Sequence, residues 1–436
     1  MTPAFDRIGY MNSAYEKTTL ANGVRLILVP MAGVNSVATS VMVAVGSRYE
    51  TKENNGITHF LEHMVFKGTA KYPKSEDIYV IERAGGLQNA YTDIDITSYH
   101  NKVIASDWEL ALDINTEMAL HPRLEETYVE KERDVILEEM KRSDDEPSSK
   151  VGEIYQDLMY PSISLGMRII GEVASLKSIA SSTLREYHDA WYRPPQMVVS
   201  IAGAIKDKAL VVGKIEEWFG GLKWKPDHDF GKITNDSQDG PKMVIATKKE
   251  AQQAHLLLGL RTFRRGNDDR FAWNLFNLIM GVSFTSRLFR EVREKRGLCY
   301  HVRSSSDNWA DVGYWSIYAG VATTKVEEAI KAILSEVAKA ASVGVTDAEV
   351  AVAKKRLKTM LAFNSENPEF MGEFYARQET FRESIITLDD FDRKIDAVTK
   401  DDINALTKKY LIAKNLNMAL VWSKPKDEKL LSLLKL

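Results

Sequence analysis

Two histidines and one glutamate lie within a single five-residue segment, His59-Phe60-Leu61-Glu62-His63. In an α-helix, positions i, i+3 and i+4 share one face. Two neutral imidazoles on one face can bind a transition metal, and a carboxylate beside them can accept a proton from an attacking water molecule. The alternative is a helix that carries two solvent-exposed histidines, so the elements that position these side chains must decide between the two.

A third ligand is offered by the charged segment TYVEKERDVILEEMKRSDDE, residues 127–146, which is predicted to form a long helix. Glu132 and Glu139 are seven residues apart and therefore share a face, two turns apart. Glu139 would complete a His-His-Glu site and leave a fourth position for water, as catalytic zinc requires. Glu132 would accept a hydrogen bond from a ligand histidine. Glu138 is a competing ligand, directed about 100° away from Glu139, and a solvated charged face is the alternative for the segment.

Together, these residues resemble the pitrilysin/insulinase family of zinc metallopeptidases, which carries the inverted order H-x-x-E-H. The resemblance is to its short members, similar to the mitochondrial processing peptidase β-subunit and its bacterial relatives. In that family the third ligand follows the second histidine by about 75 residues, with another glutamate seven residues before it, and Glu139 and Glu132 match those places. The similarity covers nearly the whole chain: it begins at LANGVRLILVP and includes GGLQNAYTDIDITSYH and YHDAWYRPPQMVVSIAGAI in the first half.

The resemblance implies a zinc-dependent endopeptidase with one zinc ion per chain. His59, His63 and Glu139 are the expected ligands, and Glu62 is the expected general base, which takes a proton from water and passes it to the leaving amine. Zinc suits this donor set, and manganese or cobalt can also occupy it. The alternative function is a non-catalytic peptide-binding or structural subunit of the same fold, although such family members usually lack an intact metal motif.

A second family signature is found in FTSRLFREVREKRGLCYHVRS, residues 284–304. In the family, a similar stretch supplies an arginine and a tyrosine, seven residues apart, to the active site, and Arg293 and Tyr300 match that spacing. A tyrosine hydroxyl can donate a hydrogen bond to a developing oxyanion, and an arginine can hold the substrate backbone. The alternative is an ordinary amphipathic helix with a solvated Arg293, followed by a strand.

The segment GGLQNAYTD is expected to supply an edge strand near the metal site, to which an extended substrate can add by backbone hydrogen bonds. Asn89 and Ala90 match the family's Asn-Ala pair on this strand and are the predicted substrate-binding residues, with plain strand residues as the alternative. Processing peptidases recognise an upstream arginine through acidic residues shortly after the third ligand, where this chain has Ser149 and Glu153. Because Ser149 departs from the acidic pattern, we expect a peptidase for short, extended or unfolded peptides.

Composition agrees with a water-soluble enzyme that binds neither nucleic acid nor membranes. The 436 residues carry a formal net charge of −3, so no strong attraction to polyanions is expected. No apolar run approaches the length of a membrane span. The single cysteine, Cys299, excludes an intrachain disulfide, which fits a reducing compartment. The first 20 residues resemble neither a secretory signal nor an Arg-rich transit peptide, so a cytoplasmic location is expected.

The chain is predicted to contain two homologous α+β domains, because 436 residues exceed one ordinary core. Each domain is expected to be a largely antiparallel sheet with helices packed on one face. The first domain covers residues 1–222 and carries the zinc site. Residues 223–241, rich in Gly, Pro, Asp and Lys, are the predicted linker. The second domain, residues 242–436, is predicted to be a metal-free repeat that carries the Arg/Tyr pair.

A diverged internal duplication underlies this division. A shift of 213 residues lays the three motif residues on Ala272, Leu275 and Phe276. In the family, two pairs of such domains face one another like a clamshell and enclose a chamber, and this chain supplies one pair. It carries both the metal motif and the Arg/Tyr signature, which heterodimeric relatives divide between subunits. We therefore expect a homodimer in which Arg293 and Tyr300 of one chain complete the zinc site of the other.

Overall fold

Two mixed β-sheets organise this computed structural model, which describes residues 14–161, 163–224, 238–425 and 427–436. The strands of the first sheet are β1 (Glu16–Thr19), β2 (Arg25–Pro30), β3 (Ser36–Val43), β4 (Leu87–Thr92), β5 (Thr97–Ile104) and β6 (Met197–Gly203). The strands of the second sheet are β7 (Lys242–Thr247), β8 (Gln253–Arg261), β9 (Cys299–Asn308), β10 (Gly313–Ala322) and β11 (Leu416–Trp422). The central strands are rich in Val, Ile, Leu and Met and almost wholly buried, as expected for strands covered on both faces.

Helices connect and cover these strands. The α-helices are, in chain order, α1 (Ile57–Val65), α2 (Ser75–Ile78), α3 (Val80–Arg83), α4 (Trp108–Leu120), α5 (Glu126–Asp145), α6 (Pro147–Met159), α7 (Val173–Ser178), α8 (Ser181–Trp191), α9 (Lys208–Phe219), α10 (Asp269–Gly281), α11 (Val326–Ser342), α12 (Asp347–Asn364), α13 (Pro368–Thr380), α14 (Leu388–Ala397) and α15 (Lys400–Tyr410). A π-helical segment, Phe289–Glu294, lies between α10 and β9. Within the described ranges, none of the helices is both long enough and apolar enough to span a bilayer.

The two sheets repeat one pairing scheme. Their strand orders are β1-β2-β6-β3-β5-β4 and β7-β11-β8-β10-β9. Each sheet contains one parallel pair, β2 with β6 and β7 with β11, whereas the other neighbours are antiparallel. From the parallel pair to the far edge, the strands of the two sheets correspond in order and direction. This confirms the α+β class with largely antiparallel sheets, and it agrees with an internal duplication.

Each sheet belongs to a unit assembled from discontinuous stretches of the chain. The first unit consists of Met1–Glu138, Arg168–Phe230 and Lys358–Phe391. The second unit consists of Glu139–Met167, Gly231–Leu357 and Asp392–Leu436. In the first unit α13 packs on β2, β3 and β6, and in the second α6 packs on β7, β8 and β11.

The placement of α6 and α13 differs from the sequence prediction of two continuous domains, 1–222 and 242–436. The predicted linker, 223–241, falls largely outside the described residues, which omit 225–237. The boundary between the two domains therefore stays a prediction. A helix from each half of the sequence nonetheless packs on the sheet formed by the other half.

Helices cover both faces of the first sheet. Asn115 of α4 donates to the Thr39 hydroxyl on β3 at 2.9 Å. The next residue, Ser40, lies opposite Ser200 of β6, whose hydroxyl donates to the Gly372 carbonyl of α13 at 3.2 Å. Because successive strand residues point to opposite faces, α4 and α13 lie on opposite sides of the sheet. The expectation of helices on one face is therefore incomplete, because it omitted α13.

The second sheet is covered in the same way. The Trp315 indole of β10 donates to Asn277 of α10 at 2.8 Å. The neighbouring Ser316 lies opposite Gly259 of β8, and a Cβ on Gly259 would lie only 2.6 Å from the Tyr155 hydroxyl of α6. Glycine at this position therefore lets α6 approach the face opposite α10.

Candidate metal centre

Helix α1 carries the metal motif on its partly exposed face. Phe60, Leu61 and Met64 are fully buried, whereas His59, Glu62 and His63 remain partly exposed. This division follows the helical period, which separates the two sets onto different sides of the helix. The rings of His59 and His63 meet edge to face, with centroids 4.6 Å apart. The two imidazoles are therefore neighbours on one face, as their spacing predicts.

Helix α5 brings the third ligand candidate to this face. Donor atoms of His59, His63 and Glu139 all lie within 4.8 Å of one another. Among the described residues, this is the one group of three or more His, Cys, Asp or Glu side chains with that geometry. Two imidazole nitrogens and one carboxylate oxygen form the donor set of many catalytic zinc sites, whose bonds to such atoms are about 2.0–2.2 Å long. The three side chains therefore fit zinc by donor chemistry.

The competing candidate, Glu138, is excluded from this cluster. Its side chain is exposed, whereas Glu139 is partly buried. One residue along a helix turns the side chain by about 100°, so only one of the two can face α1. The division into units falls within α5, between Glu138 and Glu139, but the helix itself continues unbroken from Glu126 to Asp145.

Glu132 holds one of the two candidate ligand histidines in place. Its carboxylate lies 2.9 Å from His63 Nδ1 and 2.7 Å from Lys67 Nζ. Burial by itself raises the pKa of the Glu132 carboxyl, but the hydrogen bonds from His63 and Lys67, together with the positive charges of these two groups, outweigh burial and bring the pKa below its usual value. A charged acceptor at Nδ1 favours the tautomer in which Nε2 of His63 keeps its lone pair for a metal.

Glu62 lies on the same turn as the two histidines, near a buried pair of tyrosines. The hydroxyls of Tyr99 and Tyr192 are 2.6 Å apart. Burial raises the pKa of both phenols, with the Glu62 charge adding a smaller contribution, so both stay protonated. The two neutral phenols therefore add no competing base within reach of the Glu62 charge.

The start of α1 is capped by Glu50, a residue that the sequence analysis did not single out. The N-cap residue, Gly56, has φ of 93° and no side chain to accept a hydrogen bond. The Glu50 carboxylate instead accepts from the backbone N–H groups of Gly56 at 2.8 Å and Thr58 at 2.9 Å, and from the Asn55 amide at 2.9 Å. Burial raises the pKa of Glu50 to about 7, although these hydrogen bonds act in the opposite direction. A glycine at the N-cap was the one sequence signal that an acceptor must come from elsewhere.

Strand β4 lies at the edge of the first sheet and packs against α1. Among the strands of the described residues it pairs on one side only, with β5, where Asn89 lies opposite His100 and Ala90 opposite Tyr99. Asn89 is exposed and Ala90 is buried. The outer side of β4 therefore presents backbone groups beside α1. Strand β4 is thus the edge strand that the sequence predicts.

Arg293 and Tyr300 come together in the second unit. The Arg293 guanidinium lies over the Tyr300 ring at 5.0 Å and over the Phe289 ring at 4.8 Å. Tyr300 is 77% exposed, whereas its neighbour Cys299 is buried. Burial raises the pKa of the Cys299 thiol to about 11, so this cysteine is not a nucleophile at neutral pH. Arg293 and Tyr300 thus form a stacked pair, and their role at a zinc site stays a prediction.

Comparison with known proteins identifies the family. The family model described as insulinase (peptidase family M16) matches residues 26–171, and the model described as peptidase M16 inactive domain matches residues 178–357. The chain belongs to the M16 peptidase family. The metal motif lies in the first matched region. Ala272, Leu275 and Phe276, which the predicted duplication aligns with the motif, lie in the second.

Relatives and solved structures agree with this assignment. An uncharacterized zinc protease of Bacillus subtilis is 33% identical over 407 residues, which is 93% of this chain and 98% of the relative. Another from Mycobacterium leprae is 32% identical over 397 residues, 91% of this chain and 89% of the relative. A protease structure from Helicobacter pylori superposes with a TM-score of 0.87 at 22% identity, covering 95% of this chain and 100% of that one. This last match shows a shared fold.

Replacing Glu132 tests its hold on His63. In Glu132→Gln, the side chain keeps its shape but loses the charge that binds His63 and Lys67, so we expect zinc affinity to fall about 10–100-fold. Competition with a chromophoric chelator at one fixed pH measures this. Glu130→Gln is the matched control, because Glu130 is an exposed residue on the same helix. Equal zinc affinity in the two variants would contradict the role assigned to Glu132.

The raised pKa of Glu50 predicts a pH dependence of stability. Between the ordinary pKa of 4.5 and the folded value of about 7, the folded state binds the proton more tightly. The Glu50 contribution to the free energy of unfolding should therefore fall as pH rises through this window, by an amount on the order of 3 kcal/mol, and level off above it. Urea unfolding of the metal-free wild type and Glu50→Gln across this range isolates the contribution. Parallel stability curves for the two proteins would show that Glu50 does not titrate there.

Proposed function

We propose that this chain is a zinc-dependent endopeptidase that cleaves short, extended or unfolded peptides. The observation that carries the proposal is the set of donor atoms from His59, His63 and Glu139 within 4.8 Å, with Glu62 on the same turn of α1. Two imidazoles and one carboxylate leave a coordination position for a reactant, which a purely structural zinc site does not. The relatives named zinc proteases support the same metal and reaction.

The reaction uses the residues around this site in distinct roles. Zinc bound by the three ligands would supply Lewis acidity, which polarises the scissile carbonyl and makes water acidic. Glu62 accepts the proton of the attacking water and returns it to the leaving amine. Glu132 keeps His63 in the tautomer that leaves Nε2 available. Arg293 and Tyr300 are proposed to hold the substrate and stabilise the oxyanion.

Strand β4 is proposed to bind the peptide. Its unpaired side can form backbone hydrogen bonds with an extended segment, as in other cases of β-strand addition. Asn89 and Ala90 lie in the middle of this strand. Main-chain pairing of this kind requires an extended substrate but few particular side chains. It therefore favours short or unfolded peptides over folded proteins.

Glu62→Gln tests the catalytic step. Glutamine keeps the size of the side chain but cannot accept the proton, so we expect kcat to fall by about 10²–10⁴-fold with zinc binding retained. Cleavage of a library of quenched peptides at matched zinc content measures this, with the exposed Glu53→Gln as control. A chelator should abolish wild-type cleavage, and zinc should restore it. Peptide binding without cleavage by zinc-loaded wild type would instead support the non-catalytic alternative.

We also propose that the active form is a homodimer in which Arg293 and Tyr300 act on the zinc site of the partner subunit. The chain carries both signatures, which heterodimeric relatives divide between subunits. Arg293→Ala and Glu62→Gln chains should each be inactive alone. After subunit exchange, half of the dimers are mixed and each mixed dimer has one intact site of two, so about a quarter of wild-type activity should return.

The mixing experiment separates this arrangement from a site completed within one chain. If each chain completed its own site, no mixed dimer would contain an intact site and no activity would return. A fully active monomer at the assay concentration would also contradict the homodimer. Size-exclusion chromatography with light scattering, run at that concentration, measures the monomer fraction.

A further inference from the structure

The beginning of α1 is fixed by a carboxylate that lies outside the helix. The backbone N–H groups in the first turn of a helix have no partner within it. In α1 the Glu50 side chain accepts from Gly56 through Oε2 and from Thr58 through Oε1. Glu50 is 5% exposed, so these hydrogen bonds do not compete with bulk water. A single side chain therefore sets where the helix begins.

Other groups attach this cap to two further parts of the first unit. The Asn55 amide donates to the Arg168 carbonyl at 2.9 Å as well as to Glu50. The Ser175 hydroxyl donates to the Asn55 carbonyl at 2.7 Å, and the Thr58 hydroxyl lies 2.8 Å from that of Tyr187. The cap is thus joined to α7 and its preceding loop and to α8, as well as to the turn that contains Glu50.

Close backbone packing adds a steric constraint at the same point. A Cβ on Gly56 would lie 2.8 Å from both the Gly171 Cα and the Ile170 carbonyl oxygen. The left-handed φ of 93° at Gly56 also disfavours any other residue. These two constraints therefore fix the backbone conformation at the start of α1.

The metal ligands begin one residue after this cap. His59 follows Thr58 directly, and Glu62 and His63 follow three and four residues later on the same face of the helix. A shift or rotation at the helix start moves all three side chains together. Sites of this kind need their groups held to within about 0.5 Å of the productive geometry. A displacement of the cap would therefore also displace the ligand atoms, because the first turn of α1 connects the two.

Among side chains of this length, only a carboxylate can accept hydrogen bonds through both of its terminal atoms at the start of α1. Burial, however, destabilises its charged form. Both oxygens accept hydrogen bonds, whereas an amide would turn a donor toward one set of N–H groups. Burial opposes ionisation and raises the pKa of Glu50 to about 7.

We propose that Glu50 is a positioning residue of the peptidase site, which fixes the axial and rotational position of α1 and thereby sets zinc affinity and turnover. This inference rests on the proposed function, because it assigns to Glu50 the alignment of His59, Glu62 and His63. Glu50 touches neither substrate nor metal in this account. Its effect reaches the site through the backbone of α1.

Glu50→Gln and Glu50→Asp test the proposal, with Glu53→Gln as a control for the same chemical change in an exposed side chain of the same loop. Zinc affinity is measured by chelator competition on the metal-free proteins, and kcat is measured at saturating zinc. We expect Glu50→Gln to lower zinc affinity about 10–100-fold, the size typical for groups that orient ligands. Glu50→Asp keeps the charge but is one methylene shorter, so we expect a smaller loss. The visible spectrum of the cobalt-loaded protein should shift in Glu50→Gln and stay unchanged in Glu53→Gln.

The outcomes separate this proposal from the function on which it rests. Wild-type zinc affinity and an unchanged cobalt spectrum in a folded Glu50→Gln protein, even with a lower melting temperature, would overturn the positioning role. If Glu50→Gln does not fold, Glu50→Asp decides, and wild-type zinc affinity in that variant would overturn the proposal equally. Failure of the wild-type protein itself to cleave peptides when loaded with zinc would contradict the proposed function, whereas the zinc affinities would still test the role of Glu50.

Discussion

The fixed orientation of helix α1 is the constraint on which the candidate centre depends. Two of the three proposed metal ligands and the proposed general base lie on one turn of this helix, so none of them can be adjusted separately. Glu139 reaches the same point from α5, and Glu132 on the same helix binds His63. The apolar side of α1, with Phe60, Leu61 and Met64, is fully buried and resists rotation. Packing, capping and ligand geometry therefore act on one rigid element.

The local chemistry of the site could be predicted because it follows from helical periodicity. The spacing of His59, Glu62 and His63 determines their common face in any α-helix, and the seven-residue separation of Glu132 and Glu139 does the same for α5. The edge strand β4 was predictable from a short segment that follows a turn. Glu139 was distinguished from Glu138 by family spacing and by helix geometry, and the structure agrees.

Features that depend on distant parts of the chain were not predictable in the same way. The apolar residues of α6 and α13 show that each helix is buried, but they do not show which of two similarly built sheets receives it. Both sheets have the same strand order, so the sequence of each helix does not indicate on which of the two sheets it packs. The cap of α1 was missed for a related reason, since its acceptor, Glu50, lies outside the helix and six residues before Gly56. A search of each helix for its own cap residue cannot find such a partner.

The two halves of the chain share a strand order but differ in their candidate site residues. Ala272, Leu275 and Phe276, which the predicted duplication aligns with the metal motif, lie in α10, and all three are buried. That half instead carries the stacked pair Arg293 and Tyr300.

The central claim is that His59, His63 and Glu139 bind one zinc ion that is required for cleavage. Its most direct test is a titration of metal-free protein with zinc in which bound zinc and peptide cleavage are followed together. We expect both to saturate at one zinc per chain, whereas cleavage by metal-free protein, or full zinc binding without cleavage, would contradict this claim.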